Sequence, residues 1–215
     1  MDGSRAHLNA LFDADRALRA AEDAFLESAE EKTLAHVIAE AVSEAFKLGD
    51  PEEQEVRLMR LADLCGQVQG PETVDALLSI LDHDEPSVRN EAGESLLDVA
   101  YERFKEVALG IERLLARGHE GHAMEELPFV LCEIRDPDPL PLVSRFLAHP
   151  RGEVVAAAIE ALAAFGDPSA IKALEKLTDD TREVTLPDLD DATATIGDLA
   201  ADAIAELEGD PQEAT

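Results

Sequence analysis

The chain has 215 residues, of which 48 are acidic and 18 basic, so its formal net charge is −30 and its pI is near 4.3. A field this negative excludes nucleic acid and anionic lipid headgroups as partners, because both need Lys and Arg to displace counterions. It favours solubility and a basic protein partner, and adaptation to high salt is the alternative explanation. Aromatic residues make up only 4% of the chain, so aliphatic and small side chains must form most of the core.

The cysteines and the hydropathy pattern indicate where the protein resides. Cys65 and Cys132 are too few for a disulfide framework, so a reducing cytoplasm is the expected location. The N-terminal segment lacks the apolar run of a signal peptide, and no stretch approaches 18 apolar residues. We therefore expect neither secretion nor a membrane span.

The first 50 residues are expected to form two helices that cap the N-terminal end of the fold. The first runs from Ser4 to about Ser28, and the second runs from Glu30 to Leu48. Gly49-Asp50-Pro51 ends the second helix, because Gly can take a left-handed cap and Pro can start the next helix. The apolar positions of the first helix have helical spacing: Leu8, Leu11, Leu18, Ala21 and Phe25.

Residues 51–208 contain a repeated pattern of a short helix, a turn and a longer helix. Asp136-Pro137 returns 31 residues later as Asp167-Pro168, and the apolar positions Leu140, Val143 and Phe146 return as Ile171, Leu174 and Leu177. This period, with apolar residues at helical spacing, predicts an α-solenoid. The fold class is therefore all-α, a right-handed solenoid of about ten helices arranged as helical hairpins.

Three features depart from the regular repeat. Pro128 lies inside the predicted helix from about Glu120 to Ile134, where it should kink the helix or mark a late start. The last unit has a longer loop at about 178–195 between its two helices. The tail 209–215 is expected to be disordered.

The repeats resemble HEAT repeats, in particular the bacterial type described as phycobilisome-lyase-like. The resemblance is carried by the Asp-Pro helix starts, by Val88-Arg89 and by the segments ALLSILDHDEPSVRNEA and AIEALAAFGDPSAIKAL. It implies a scaffold, an adaptor or a binding surface, and occasionally an enzyme. The lyase description also suggests bilin attachment, but no residue of this sequence can be assigned that role.

Residues with catalytic or metal-binding potential are few. His119 and His122 could bind a metal on one helical turn, but no third ligand of fixed spacing follows. His83 and His149 recur at equivalent positions in two units, which indicates a structural role. The sequence contains no nucleophile motif and no phosphate-binding loop. We therefore expect a protein that is not an enzyme and that has no cofactor and no metal.

The remaining candidate is the surface opposite the core stripe of the second helices, which lines the concave side in the family that the repeats resemble. On this surface, one position from each second helix forms a central row of four acidic residues and one aromatic residue. Two flanking rows, at neighbouring positions of the same helices, contain further acidic residues. We expect Phe129, beside Pro128, to be an exposed anchor among carboxylates. The candidate binding residues are Asp63, Glu91, Glu94, Asp98, Glu126, Phe129, Glu133, Glu160, Asp202 and Glu206.

The leading hypothesis is a protein-interaction scaffold that binds a basic partner in an acidic concave groove. An immunity or inhibitor protein for a cationic toxin, such as a nuclease, is a more specific version. A lyase-like or cofactor-handling enzyme is the alternative from another class. High-salt adaptation would explain the acidity without a partner, and the sequence leaves the oligomeric state open.

Overall fold

The computed structural model describes residues 2–186 and 192–209. Within these ranges the chain forms ten α-helices and one pair of antiparallel strands, so the prediction of an all-α, HEAT-like solenoid of about ten helices is confirmed. The helices are α1 (Asp2–Leu26), α2 (Glu31–Ala45), α3 (Pro51–Gln67), α4 (Pro71–Ile80), α5 (Pro86–Ala116), α6 (Ala123–Cys132), α7 (Leu140–Phe146), α8 (Gly152–Phe165), α9 (Ile171–Leu174) and α10 (Ile196–Glu208). The strands are β1 (Glu183–Leu186) and β2 (Ala192–Thr195).

The helices from α2 onward form two layers. Long α5 contributes to both, because its backbone leaves the helical region at Arg103 (φ −135°, ψ 43°) and divides it into two halves. The second-helix layer contains α3, the first half of α5, α6, α8 and α10, and neighbouring members are in contact. The first-helix layer contains α2, α4, the second half of α5, α7 and α9. The apolar stripes of the two layers meet in one continuous core.

The Asp-Pro pairs at 50–51 and 167–168 start helices as the sequence indicated. Asp136-Pro137 does not, since α7 begins only at Leu140, whose N–H donates to the Asp138 carboxylate at 2.9 Å. Asp50 precedes Pro51, and its carboxylate accepts the backbone N–H of Glu52 at 3.1 Å. Asp167 precedes Pro168 and accepts the N–H of Ser169 at 2.8 Å. Each carboxylate caps an otherwise unpaired donor of the first turn, and each proline supplies a preset φ.

The break in α5 is held by the side chain of Arg103. Its guanidinium donates to the carbonyl oxygens of Gly66 and Val68 at the end of α3, at 3.3 and 3.4 Å. Beyond the break, Gly110 lets the second half of α5 approach α4 closely, because a Cβ at this position would lie 2.8 Å from Val74 Cγ1. A half-buried arginine and a glycine together allow the two halves of α5 to serve two repeats.

Pro128 lies inside α6, which starts at Ala123, three residues later than the sequence indicated. Because proline has no N–H, the carbonyl of Met124 has no donor from this position. Pro128 and its neighbour Leu127 are buried, and the helix continues to Cys132.

The N-terminal helix is placed differently from its neighbours. α2 packs on α3 and α4 as the first helix of a hairpin, although the sequence analysis grouped residues 1–50 as a separate cap pair. In α1 every side chain from residue 4 to residue 21 is exposed, and only its end, at Phe25 and Leu26, packs against the core.

The longer loop of the last repeat contains the strand pair, which the sequence analysis did not predict. Glu183 pairs with Thr195 and Leu186 with Ala192, while residues 187–191 lie outside the described ranges. Val184 is buried against the start of α8, where a Cβ at Gly152 would lie 2.7 Å from Val184 Cγ1. The predicted disordered tail 209–215 lies outside the described residues except for Gly209.

Hydrogen bonds connect the turns of successive repeats. In two of these turns, the histidine Nδ1 accepts a backbone N–H two residues further on, from Glu85 to His83 at 3.0 Å and from Arg151 to His149 at 3.2 Å. The ring proton therefore sits on Nε2. From Nε2, His83 donates to Gln54 Oε1 and His149 donates to the carbonyl of His119, both at 3.0 Å. The recurring histidines thus have the structural role that the sequence indicated.

We predict that the solenoid unfolds from one end when its core is weakened locally. Leu96→Ala and Leu162→Ala, at fully buried positions, should each cost about 2–5 kcal/mol of unfolding free energy, because each leaves a cavity. Leu109→Ala, in the same helix as Leu96 but 46% exposed, should stay within about 0.5 kcal/mol of wild type. Urea denaturation measures these differences.

Amide hydrogen exchange measures where each variant opens. Because repeats contact only their neighbours, protection should fall first in the end nearer the substitution. Equal loss of protection along the whole chain would indicate a single cooperative bundle instead.

Candidate functional site

The second-helix layer has a strong charge gradient along the stack. α3 contains Arg57 and Arg60, and the first half of α5 contains Arg89, whereas α6, α8 and α10 contain no Lys, Arg or His. The last three helices of this layer are therefore acidic without internal basic residues. This is the part of the predicted binding face with the least local charge compensation.

A groove of 230 Å³ lies between α8 and α10 on this face. Each helix contributes four positions at the same spacing of i, i+3, i+4 and i+7, as expected for two helices that lie side by side. The floor is apolar, and three carboxylates form the rim. The floor residues are Ala156, Ile159, Ala163, Leu199 and Ala203, and the rim residues are Glu160, Asp202 and Glu206.

Two further grooves lie between α3 and α5. Asp63 and Asp98 line a groove of 520 Å³ together with Tyr101 and Glu102. Asp63 and Glu91 line a smaller one of 270 Å³ beside Val56, Met59 and Arg60. The structure therefore brings six of the ten predicted residues into grooves of the second-helix layer.

The other four predicted residues, Glu94, Glu126, Phe129 and Glu133, do not line these grooves. Glu94 and Glu133 are exposed on α5 and at the end of α6, and Glu126 pairs with Arg89 at 3.1 Å. Asp63 is likewise compensated, because Arg60 lies 3.0 Å away. Within residues 2–186 and 192–209, no ion pair involves Glu160, Asp202 or Glu206.

Two aromatic side chains are exposed on the same layer. Phe129 is 39% exposed on α6, as expected from its position off the Leu127–Leu131 stripe. Tyr101, at 57% exposure, is the second, and its hydroxyl donates to the carbonyl of Glu133 at 3.1 Å. Tyr101 therefore lies against the end of α6 and links the two halves of the face.

Several arginines use part of their hydrogen-bonding capacity on backbone carbonyls. Arg89 donates to the carbonyls of His83 and Asp84 at 2.9 and 2.8 Å, and Arg182 donates to those of His149 and Pro150 at 2.9 and 3.0 Å. Arg135 lies 4.2 Å above the Phe165 ring and donates to the Phe165 carbonyl. These cations hold turns and helix ends together, so they neutralise few of the exposed carboxylates.

The shifted pKa values mark structural contacts. Hydrogen bonds from the Arg182 side chain and backbone lower the pKa of Asp180, and the Ser169 N–H lowers that of Asp167. Burial raises the pKa of the Cys65 thiol to about 12. Burial is also the main cause that raises the pKa of Cys132 to about 11. Both cysteines are free thiols, and these shifts keep them protonated and unreactive near neutral pH.

The two histidines that could have bound a metal contact carboxylates of the preceding turn. His119 Nε2 contacts the Asp82 carboxylate, which also accepts the Ala123 N–H at 2.9 Å, and His122 Nε2 lies 3.5 Å from Asp84 Oδ1. In the described ranges, no group of three or more His, Cys, Asp or Glu side chains is arranged to hold a metal ion.

One protein-family model matches part of the chain. Residues 123–186, which include α6, α7, α8 and α9, match the family model for HEAT repeats, so this segment supports the HEAT-repeat family. A solved crystal structure of an engineered protein is similar over 87% of this chain and 96% of its own, at 20% identity and a TM-score of 0.36. A search of curated proteins gave no match. Proteins built from HEAT repeats generally serve as scaffolds for protein interactions and are generally not catalytic.

The hydropathy of the helices bears on membrane association. None of the helices in the described ranges has both the length and the apolar character needed to span a bilayer.

The sequence analysis missed the groove floor between α8 and α10 and the exposed Tyr101. Ile159 follows a core position directly and has the spacing of a buried residue, so only the distance between the two helices reveals that it lines a groove. Tyr101 lies one helical turn after Asp98, which belongs to a predicted flanking row. Including the residue one turn further along each helix of that row would have added Tyr101 to the predicted site.

We predict that Phe129 contributes little to stability. Because its side chain is 39% exposed on a helix surface, Phe129→Ala should change the free energy of unfolding by less than about 1 kcal/mol. Phe146→Ala, at a fully buried aromatic position, should cost about 3–5 kcal/mol. Denaturant titration of both variants measures the difference, and equal losses would mean that Phe129 is part of the core.

Proposed function

We propose that this protein is a non-catalytic interaction scaffold that binds a basic segment of another protein on its second-helix face. The observation that carries the proposal is the groove between α8 and α10, which combines an apolar floor with three carboxylates. An apolar floor provides a desolvated centre, and a charged rim favours partners of the opposite sign.

The groove favours a particular kind of partner segment. An amphipathic helix laid along α8 and α10 would direct apolar side chains, at i, i+3, i+4 and i+7, onto Ala163 and Leu199, which are half-buried residues of the floor. Lys or Arg residues on either side of that stripe would approach Glu160, Asp202 and Glu206. Phe129 and Tyr101 would extend the contact toward the middle of the stack.

The more specific hypotheses differ in the identity of the partner. A cationic toxin is one protein of the required chemistry, and the chain would then act as its immunity or inhibitor protein. A lyase-like activity of the phycobilisome type would need convergent polar groups around a bound pigment, and none of the groove residues suggests such a role. The cytoplasmic location remains a prediction that suits two free thiols.

High-salt adaptation is the alternative that needs no partner. In this explanation the acidic residues act by keeping the protein surface hydrated in salt. Every exposed carboxylate should then contribute similarly to the stability of the protein in salt. Specific binding instead concentrates the effect in a few carboxylates around the groove. Charge reversal at matched positions separates these explanations.

We predict that charge reversal at the groove rim abolishes binding of a basic amphipathic peptide. The probe is a synthetic helical peptide with Leu at i, i+3, i+4 and i+7 and Lys at the flanking positions, and fluorescence anisotropy measures its affinity. Glu160→Lys combined with Asp202→Lys should weaken binding by about 100-fold, because each lost charge pair costs on the order of 1.4 kcal/mol at a partly desolvated rim.

The control has the same change in net charge on the other layer. Glu44→Lys combined with Glu175→Lys alters exposed acids of α2 and of the turn after α9, and it should reduce affinity less than threefold. Equal weakening by both double variants would show attraction to net charge alone and would contradict the proposed site. Absence of binding to the wild-type protein would contradict it as well.

A further inference from the structure

The groove between α8 and α10 has two different ends, because both helices run in the same direction. The groove is continuous with a pocket of 520 Å³, since Ala163 and Glu206 line both. This pocket, called the end pocket below, also contains Ala164 and Gly209, so it lies at the C-terminal ends of α8 and α10. Two helices whose last residues line one pocket are parallel. The groove therefore starts beside their first turns and finishes at the end pocket.

The start of the groove is bordered by the strand pair and by two cations. Val184 of β1 packs against Gly152 in the first turn of α8, and β2 ends at Thr195, immediately before α10. Arg151 directly precedes α8, and Arg182 donates to carbonyls of the turn before it. Two cations therefore lie beside the start of the groove, and each is already paired with a carboxylate.

The end pocket is negative for two reasons. One is Glu206, which is exposed and has no ion-pair partner within the described ranges. The other is the carbonyl ends of two parallel helices, each equivalent to about half a negative charge. The Ala164 carbonyl also lacks its usual helical donor, because the residue four positions later is Pro168, which has no N–H. Among the described residues that line the pocket there is no Lys, Arg or His, so this end attracts positive charge more strongly than the start.

We propose that the basic segment binds as a helix antiparallel to α8 and α10, with its first turn in the end pocket. The inference rests on the proposed function, because it gives the direction of the segment in that groove. The N-terminus of a helix has unpaired N–H donors and a partial positive charge. In this orientation the donors face the Ala164 carbonyl, and a Lys or Arg of the first turn reaches Glu206. In the parallel orientation, the carbonyl end of the segment would face the carbonyl ends of α8 and α10.

The groove and the end pocket also set the length of the contact. Together they extend from Ala156 to Gly166 along α8 and from Leu199 to Gly209 along α10. At 1.5 Å per residue each side is about 15 Å long, which corresponds to about three helical turns. The segment is therefore a helix of about three turns, with a basic residue in its first turn.

Photo-cross-linking from the two ends of a peptide tests the direction. The probe is the Leu/Lys helical peptide, held helical by a hydrocarbon staple, with a benzophenone group on either its first or its last residue. The N-terminal group should cross-link to residues 163–168 and 206–209, and the C-terminal group to residues 152–156 and 195–199. Mass spectrometry of the digested conjugates locates the cross-links.

The possible results separate the direction from the site. The opposite pattern would overturn the antiparallel orientation but would leave the groove as the binding site. Cross-links from both groups to both ends would mean that the helix has no fixed direction, and would overturn the orientation as well. Cross-links outside α8 and α10, or absence of binding, would contradict the proposed function and the inference with it.

Two matched variants test the contribution of Glu206. Two stapled peptides of the same composition have a pair of Lys residues in either the first or the last turn. Glu206→Gln should weaken binding of the first-turn peptide by about fivefold and that of the last-turn peptide by less than about twofold, because only the first turn lies in the end pocket. Glu160→Gln, near the middle of the groove, should weaken both peptides to the same extent. Both positions are exposed, so neither variant should impair folding. Equal weakening of the two peptides by Glu206→Gln would contradict the proposal.

Discussion

The structure depends on one constraint: no helical hairpin in this chain can bury its apolar stripe by itself. Leu96 in α5 and Leu162 in α8 are fully buried because adjacent hairpins cover them. Each repeat therefore stabilises its neighbours, and the stack extends until a helix with a polar outer face ends it. α10 is such a helix, with a buried stripe at Ile196, Ala200 and Ala203 and acids on its exposed side.

The same constraint determines where the scarce cations are used. Stacked helices leave carbonyl groups unpaired at their ends, and buried or half-buried carbonyls need donors. Arg89, Arg103 and Arg182 provide such donors at the ends of α4, α3 and α7. Among the described residues, Arg103 and Arg182 form ion pairs with Glu106 and Asp180, outside the second-helix face, and Arg89 pairs with one of its acids, Glu126. The acidity of α6, α8 and α10 is therefore a consequence both of composition and of the way the solenoid is held together.

Much of the fold could be predicted from the sequence, because helical spacing reports burial directly. The stripe Val88, Ala92, Leu96 and Val99 is buried as a unit. Asp50-Pro51 and Asp167-Pro168 begin helices where the pattern placed them, whereas the predicted start at Asp136-Pro137 was wrong, because α7 begins at Leu140. The placement of α1 could not be predicted, since an amphipathic stripe has the same pattern whether the partner is the same chain or another molecule. The strand pair after α9 was also missed, because its four-residue strands are too short to distinguish from a loop.

The candidate site was predicted in part, and the reason is geometric. Helical periodicity gives the side of a helix on which Glu160, Asp202 and Glu206 lie, so their shared face was predicted. Helical periodicity gives no distance between helices, so the groove floor at Ile159 and Leu199 was not predicted. The ion pair between Glu126 and Arg89 joins two repeats, so the residue pattern of one helix could not predict it.

The groove between α8 and α10, with its rim of carboxylates, is the proposed binding site for a basic segment. The most direct test is a hydrogen-exchange footprint of the wild-type protein with and without the Leu/Lys helical peptide. Bound peptide should slow exchange in α8 and α10, extending toward α6, and should leave exchange in α2 and α4 of the first-helix layer unchanged. Slowed exchange in α2 and α4, or spread evenly over both layers, would contradict it.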